Sequence, residues 1–136
     1  MIFDAENAIM GRLAALVAKN LVKGEKVVVV NVEKAVISGE PKKVVEVYRK
    51  RREMTNKANP EHASKWPRRP DYLFKRVVQA MLPKTARGEK ALKNFRAFMG
   101  VPPEFKEAVK TKKDASKLSC KSITLEELCF KLGWKY

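Results

Sequence analysis

Residues 2–30, IFDAENAIMGRLAALVAKNLVKGEKVVVV, carry the clearest pattern of secondary structure in the chain. Residues 2–5 suit a short strand, and the apolar residues after them recur at helical spacing, at Leu13, Leu16, Val17 and Leu21. Gly24 is suited to end this helix because glycine adopts a left-handed C-terminal cap without strain. Residues 27–30 are four consecutive valines, which is typical of a strand covered on both faces in a parallel sheet. The stretch therefore predicts a right-handed βαβ unit.

The next part of the chain predicts a short strand at residues 35–38 and then a helix with Pro41 in its first turn, where a missing N–H is harmless. Periodicity disappears between residues 53 and 70, a segment with three prolines and four basic residues. A loop of this length inside a small domain is usually functional or disordered. Helical spacing resumes after Asp71, the expected N-cap, and Pro83 ends that helix.

The C-terminal third predicts two more helices. A short helix is expected from near Gly88, and residues 95–99 fit either its end or a strand. Residues 106–117 are lysine-rich and polar, which indicates a surface segment. Thr124 and Glu127 form a T-x-x-E capping box, which predicts the start of the last helix.

Length and composition bound the class of protein. The 136 residues suit one domain, residues 1–136, with a basic loop at about 53–70 within it. No apolar run approaches the roughly 18 residues of a membrane span, and no secretory signal is present, so the cytoplasm is the expected compartment. Cys120, Cys129 and the single histidine, His62, do not supply the about four paired ligands of a zinc site, so no metal is expected.

The charge of +15 is concentrated in the middle of the chain. Residues 1–41 carry no net charge, residues 42–96 carry 17 basic and five acidic residues, and residues 97–136 carry a net +3. Repulsion on this scale favours a polyanionic partner, and nucleic acid is the commonest one because phosphate contacts release counterions. An anionic membrane is the alternative, but it requires an exposed apolar helical face, and the apolar faces here suit a core.

Four clusters carry most of this charge: 49–52, 65–69, 75–76 and 84–88. Trp66, beside arginines in an aperiodic loop, suits stacking on an unpaired base, and it equally suits an aromatic side chain that anchors the loop to the core. The backbone amides at 84–88 could hold a phosphate at a helix start. The chain has no clear helix-turn-helix, zinc finger or zipper, so a long basic loop with prolines favours folded RNA over DNA.

Enzyme motifs are lacking in the sequence. Residues 6–11 lie where a dinucleotide-binding loop would need G-x-G-x-x-G, and they contain one glycine. Residues 38–43 have a lysine but no Walker loop. His62 is the only imidazole and has no evident nucleophile near it in sequence. We therefore expect no catalytic residues, no cofactor and no small-molecule substrate.

The chain resembles the universal L13 family of large-subunit ribosomal proteins, in its archaeal-type form. The most specific match runs from Arg69-Pro70 through Met81-Leu82-Pro83-Lys84, Arg87-Gly88 and Ala91-Leu92 to Gly100-Val101-Pro102. Further matches are Asp4-Ala5, Gly11-Arg12-Leu13-Ala14, Val17-Ala18-Lys19, Val28-Val29-Val30-Asn31, Ile37-Ser38-Gly39 and Tyr48.

The resemblance implies a three-layer α/β/α domain with a four-stranded, mostly parallel sheet in which residues 95–99 form a strand. It also implies a structural constituent of the large ribosomal subunit, a monomer within the ribosome that binds large-subunit rRNA, lies beside neighbouring ribosomal proteins and supports subunit assembly and translation. Arginines would clamp phosphates, lysines would act as point charges, and the loop would order on binding. The expected RNA contacts are Arg49, Lys50, Arg51, Arg52, Lys57, Lys65, Trp66, Arg68, Arg69, Arg76, Lys84, Arg87 and Lys93.

Two other functions stay open at this point. A free-standing RNA-binding regulator or RNA chaperone would have the same charge distribution. A nucleotide-using enzyme remains the third hypothesis, although its motifs are missing.

Overall fold

The computed structural model describes residues 1–105, 108–110 and 115–135. The helices of this part of the chain are α1 (Met10–Val22), α2 (Pro41–Glu53), α3 (Pro70–Met81), α4 (Ala86–Lys93) and α5 (Leu125–Lys131). The strands are β1 (Ile2–Asp4), β2 (Val27–Val30), β3 (Val36–Ser38), β4 (Phe95–Ala97), β5 (Val109–Lys110) and β6 (Ser122–Thr124). The predicted α/β class is confirmed.

The main sheet is parallel. Its strand order is β4-β2-β1-β5, and every neighbouring pair in it runs parallel. Ile2 lies opposite Val28, and Val28 lies opposite Arg96, which aligns one row of residues across three strands. Because β1 and β2 are parallel neighbours joined by α1, the predicted βαβ unit is confirmed.

The predicted strand at 35–38 exists as β3, but it lies outside the parallel sheet. It pairs antiparallel with β6 in a separate two-stranded sheet. The amide of Leu125 donates to the carbonyl of Ala35 at 2.8 Å, so α5 begins directly against this sheet. Thr124 caps α5 by accepting a hydrogen bond from the amide of Glu127 at 3.3 Å, as the T-x-x-E spacing predicted.

The core lies between the parallel sheet and the helices α1, α3 and α5. Its largest fully buried side chains include Phe74, Leu13, Leu73, Leu128 and Val29. The apolar stripe of α1 faces this core, except for Leu16, which is 38% exposed. In α2 only Tyr48 is fully buried, so this helix contributes little apolar surface and presents most of its charge to solvent.

The start of α3 differs from the prediction that Asp71 is its N-cap. Arg69 occupies that position, and Pro70 is the first helical residue, because its fixed φ suits the helix and its missing N–H is not needed there. Asp71 instead lies in the first turn, where its Oδ1 accepts a hydrogen bond from the amide of Tyr72 at 2.8 Å.

The start of α4 is also earlier than expected, at Ala86. Gly88 lies inside the helix. Only glycine fits at this position, because a Cβ would collide with the carbonyl oxygen of Pro83. Residues 95–99, which fitted either a helix end or a strand, contain β4. Within the segment 106–117, predicted as polar surface, the structure contains the short strand β5, while residues 106–107 and 111–114 lie outside the described residues.

Candidate nucleic-acid interface

The C-terminal half of α2 carries the first group of predicted contacts. Arg49, Lys50 and Arg51 are exposed, and the buried side chain of Tyr48 fixes this half against the core. Lys50 Nζ lies 2.8 Å from Glu46 Oε1, and the hydrogen bond to Glu46 raises the pKa of Lys50. Cations in the last turn also face the partial negative charge of the helix C-terminus.

Four side chains from α2, the basic loop and α3 form what we call the loop cluster: Tyr48, Arg51, Trp66 and Arg76. The Tyr48 and Trp66 rings meet edge to face with centroids 5.9 Å apart. Arg51 Cζ lies 5.1 Å from the Tyr48 centroid and 5.2 Å from that of Trp66, and Arg76 Cζ lies 5.7 Å from the Trp66 centroid. These are cation–π distances.

The loop cluster fixes the far end of the basic loop. Trp66 is half-buried and packs against the hydrophobic core, which is the anchoring role that the sequence left open beside base stacking. Arg76 also donates to Ser64 Oγ at 3.4 Å. Burial raises the pKa of the Tyr48 hydroxyl, consistent with its position under this cluster. Base stacking by Trp66 stays a prediction.

Arg52 and Arg68 lie at the C-terminus of α5. Arg52 Nη1 donates to the carbonyl of Leu132 at 3.1 Å, and Arg68 Nη1 lies 3.7 Å from the position that a Cβ on Gly133 would occupy. The carbonyl end of a helix carries partial negative charge, so the Arg52 guanidinium group has a favourable partner within the chain. Arg52 therefore connects α2 to α5.

Arg69 forms an ion pair with Asp71 in the first turn of α3. Its Nε and Nη2 donate to the two carboxylate oxygens of Asp71 at 3.1 and 2.7 Å, and its Cζ lies 5.1 Å from the centroid of the exposed Tyr72 ring. A bidentate arginine–carboxylate pair uses the same donors that would clamp a phosphate. A phosphate would have to share or replace Asp71.

The middle of the basic loop has local structure of its own. A short 3-10 turn spans Pro60–His62, and Asn56 Oδ1 accepts hydrogen bonds from the amides of Ala58 and Asn59, both at 3.2 Å. Lys57 and Lys65 are exposed on either side of this turn.

The remaining predicted contacts, Lys84, Arg87 and Lys93, lie around α4. Arg87 Nη2 donates to the carbonyl of Val22 at 3.0 Å and so ties the start of α4 to the end of α1. A cavity of about 230 Å³ between these helices is lined by Arg87 together with Lys23 and Lys90. Lys84 lines a different cavity of about 210 Å³, beside Pro83 and Gly88.

The structure thus divides the predicted residues between two regions, and it adds basic residues that the sequence reasoning did not select. Beside Arg87 and Lys93 lie four more exposed cations, and we call the six together the α4 edge: Lys23, Lys26, Arg87, Lys90, Lys93 and Arg96. Four of these six recur every third residue from position 87 to 96, a spacing visible in the sequence. The acidic residues of the same segments are Glu25 and Glu89.

The described residues give little support for a metal site, a membrane-spanning helix or a reactive buried cysteine. Within residues 1–105, 108–110 and 115–135, no three His, Cys, Asp or Glu side chains are grouped as a metal site. None of the helices in this part of the chain is long and apolar enough to cross a membrane. Cys129 is buried, and burial raises the pKa of its thiol to about 12, which keeps it protonated and unreactive at neutral pH.

Comparison with known proteins gives the class. A family model described as Ribosomal protein L13 matches residues 1–104. The chain therefore belongs to the ribosomal protein L13 family, whose members are ribosomal proteins and not enzymes.

Three relatives illustrate the likeness, and each carries the name large ribosomal subunit protein uL13. The protein of Aeropyrum pernix is 46% identical over 144 residues, covering 99% of this chain and 90% of its own. That of Methanocaldococcus jannaschii is 41% identical over 138 residues, covering 99% and 98%. That of Methanopyrus kandleri is 40% identical over 141 residues, covering 98% and 87%. The resemblance seen in the sequence, including its archaeal-type form, is confirmed.

Proposed function

We propose that this chain is a structural constituent of the large ribosomal subunit that binds large-subunit rRNA and supports subunit assembly and translation. Family membership with near full-length coverage of the relatives carries this proposal. The charge distribution supports it, because 17 basic against five acidic residues between positions 42 and 96 require a polyanion nearby. As a ribosomal protein it would act at the ribosome in the cytoplasm, as a monomer beside neighbouring ribosomal proteins.

The thirteen predicted contacts fall into three groups according to their surroundings in the protein. Arg49, Lys57, Lys65, Arg68, Lys84 and Lys93 are exposed and would meet phosphates directly. Arg51, Arg52, Trp66 and Arg76 have partners inside the chain, so their first role would be to hold the loop in place. Lys50, Arg69 and Arg87 have partners at the surface that RNA phosphates could replace.

We also propose the three-layer α/β/α arrangement around a four-stranded sheet that the resemblance implies. The strand order β4-β2-β1-β5, with the two-residue β5 as the outer strand beside β1, supports the four-stranded sheet of this arrangement.

The test is binding of the purified protein to fragments of large-subunit rRNA across a salt series, beside a scrambled RNA of equal length. If about six to ten phosphates are neutralised, affinity should fall by about three to five decades between roughly 50 and 200 mM salt. One fragment that keeps a large advantage over the scrambled RNA at every salt concentration supports the proposal. Equal binding of all RNAs would contradict specific rRNA recognition.

A second measurement separates a ribosomal constituent from a free-standing RNA-binding regulator. The tagged protein is expressed in cells, and ribosomes are sedimented after a high-salt wash. A constituent should remain with the large subunit at a stoichiometry near one, whereas a loosely bound regulator should be released.

A further inference from the structure

One face of the parallel sheet is open at the N-terminal ends of its strands. The row formed by Ile2, Val28 and Arg96 crosses β1, β2 and β4 there. Successive side chains of a strand point to opposite faces. Val27 and Val29, the neighbours of Val28, are fully buried in the core, whereas Val28 and Ile2 are half-buried and Arg96 is exposed. The row therefore lies on the face that the core does not use.

A cavity of about 560 Å³ lies over this row. Its volume is within the range of about 300–1,000 Å³ that is common for small-molecule sites. Ile2 and Val28 line it with apolar surface, and Phe105 lines it with an aromatic ring, which stacks on Phe98 at a centroid distance of 5.6 Å. That stacking holds the ring of Phe105 in place within the protein.

The charged groups that line the cavity are of one sign. Lys26, Lys93 and Arg96 are the charged side chains of its lining, and all three are exposed. No carboxylate lines it among the described residues, and Glu25 and Glu104, each adjacent in sequence to a lining residue, are not in the lining. The cavity also shares Asn94 with the smaller basic cavity that Arg87, Lys90 and Lys23 line, so the positive surface continues along the α4 edge.

We infer that this cavity receives a nucleotide of single-stranded RNA. An apolar surface with an aromatic ring suits a base, since every base has an apolar π-face, and surrounding cations suit its phosphates. The inference rests on the proposed function and adds a second RNA-binding surface at the α4 edge, on other residues than those of the basic loop. A protein segment or a free nucleotide would be the competing occupants.

The first experiment removes the charge of the cavity. The variant K26Q/K93Q/R96Q is compared with K19Q/K121Q/K131Q, which removes the same charge from three exposed lysines elsewhere. Loss of three phosphate contacts should lower the slope of log affinity against log salt by about two to three. The control variant should keep most of the wild-type slope. Equal losses in both variants would overturn the inference, because they would show only an effect of bulk charge.

The second experiment identifies the occupant. Phe105 is replaced by a photo-cross-linking phenylalanine analogue, and large subunits that have incorporated this protein are irradiated. A cross-link to rRNA supports the inference. A cross-link to another protein or to the chain itself, or the absence of any RNA cross-link, overturns it. Failure of the unaltered protein to enter large subunits would instead overturn the proposed function, so the two failures are distinguishable.

A third arm separates an RNA strand from a free nucleotide. The isolated protein is titrated with a mononucleotide and with short single-stranded RNA. Binding of RNA that K26Q/K93Q/R96Q weakens, without saturable mononucleotide binding, is expected. Saturable mononucleotide binding that the same variant abolishes would assign the cavity to a free nucleotide and overturn the inference.

Discussion

The loop cluster and the α4 edge are both strongly basic, yet they use their charge differently. In the loop cluster, guanidinium groups lie on aromatic rings, and the neighbouring Arg52 caps a helix. At the α4 edge, all six cations are exposed around open cavities, and among them only Arg87 donates to a backbone carbonyl of the described chain. The density of basic residues in a sequence therefore does not measure how many of them are available to RNA.

The largest effect on stability is expected in α4, from Gly88→Ala. The added methyl group would collide with the carbonyl oxygen of Pro83, a backbone atom that cannot rotate away. We expect a loss of about 3 kcal/mol in the free energy of unfolding, at the upper end of overpacking effects. Urea denaturation measures it.

Gly11→Ala is the matched control for that change. Gly11 lies in α1 with nothing within 4 Å of an added Cβ. Alanine in a helix should stabilise by about 0.5–1 kcal/mol relative to glycine. If both variants shift the free energy in the same direction, the tight contact between Gly88 and Pro83 is not the cause.

Trp66→Ala should weaken both stability and RNA binding, because Trp66 connects the loop to the core. We expect a loss of about 2 kcal/mol, less than for a fully buried tryptophan because Trp66 is half exposed. Trp66→Phe should recover part of both properties, since a phenylalanine ring keeps apolar packing and a weaker cation–π contact. Thermal denaturation measures the change in stability, and RNA titration measures the change in binding. Full stability of Trp66→Ala with lost RNA binding would favour base stacking instead.

Arg52→Ala and Arg49→Ala compare two arginines of one helix. Arg52 donates to the carbonyl of Leu132, whereas Arg49 is exposed. We expect Arg52→Ala to cost about 1 kcal/mol, the value of a typical hydrogen bond, and Arg49→Ala to stay within about 0.5 kcal/mol. Guanidinium denaturation of both variants provides the measurement, and equal values would contradict the structural role of Arg52.

The smallest effect on stability is expected from Lys57→Ala/Lys65→Ala. Both lysines are exposed in the basic loop, so the free energy of unfolding should stay within about 0.5 kcal/mol. The salt slope of RNA binding should fall by about two, one for each phosphate contact. An unchanged slope would contradict phosphate contacts by these two lysines.

Much of the fold was predictable because local patterns and tertiary contacts agree. The valine run 27–30 became β2, Gly24 follows α1 with a φ of +94°, and Thr124 caps α5. Predictions were wrong where two local signals competed. Asp71 is a good N-cap by residue type and would start the helix at Tyr72, but Pro70 starts it two residues earlier. β5 was not predicted for a different reason: it is two residues long in a polar segment and shows no strand periodicity.

The candidate interface was predictable only in part. Its charge is a property of composition, so the basic stretch and the expectation of a polyanionic partner follow from counting residues. The partners of each cation depend on contacts between residues distant in sequence, such as Arg52 with Leu132 and Arg87 with Val22, 80 and 65 positions apart. No local pattern encodes these contacts.

Periodicity, charge and motifs are local properties, so the α/β class, the basic character and the family could be inferred from the sequence alone. Which cations are held inside the protein and which remain open depends on contacts between residues distant in sequence. The cavity that Lys26, Lys93 and Arg96 surround likewise exists only in the folded chain, because the parallel register of β1, β2 and β4 brings separate segments together.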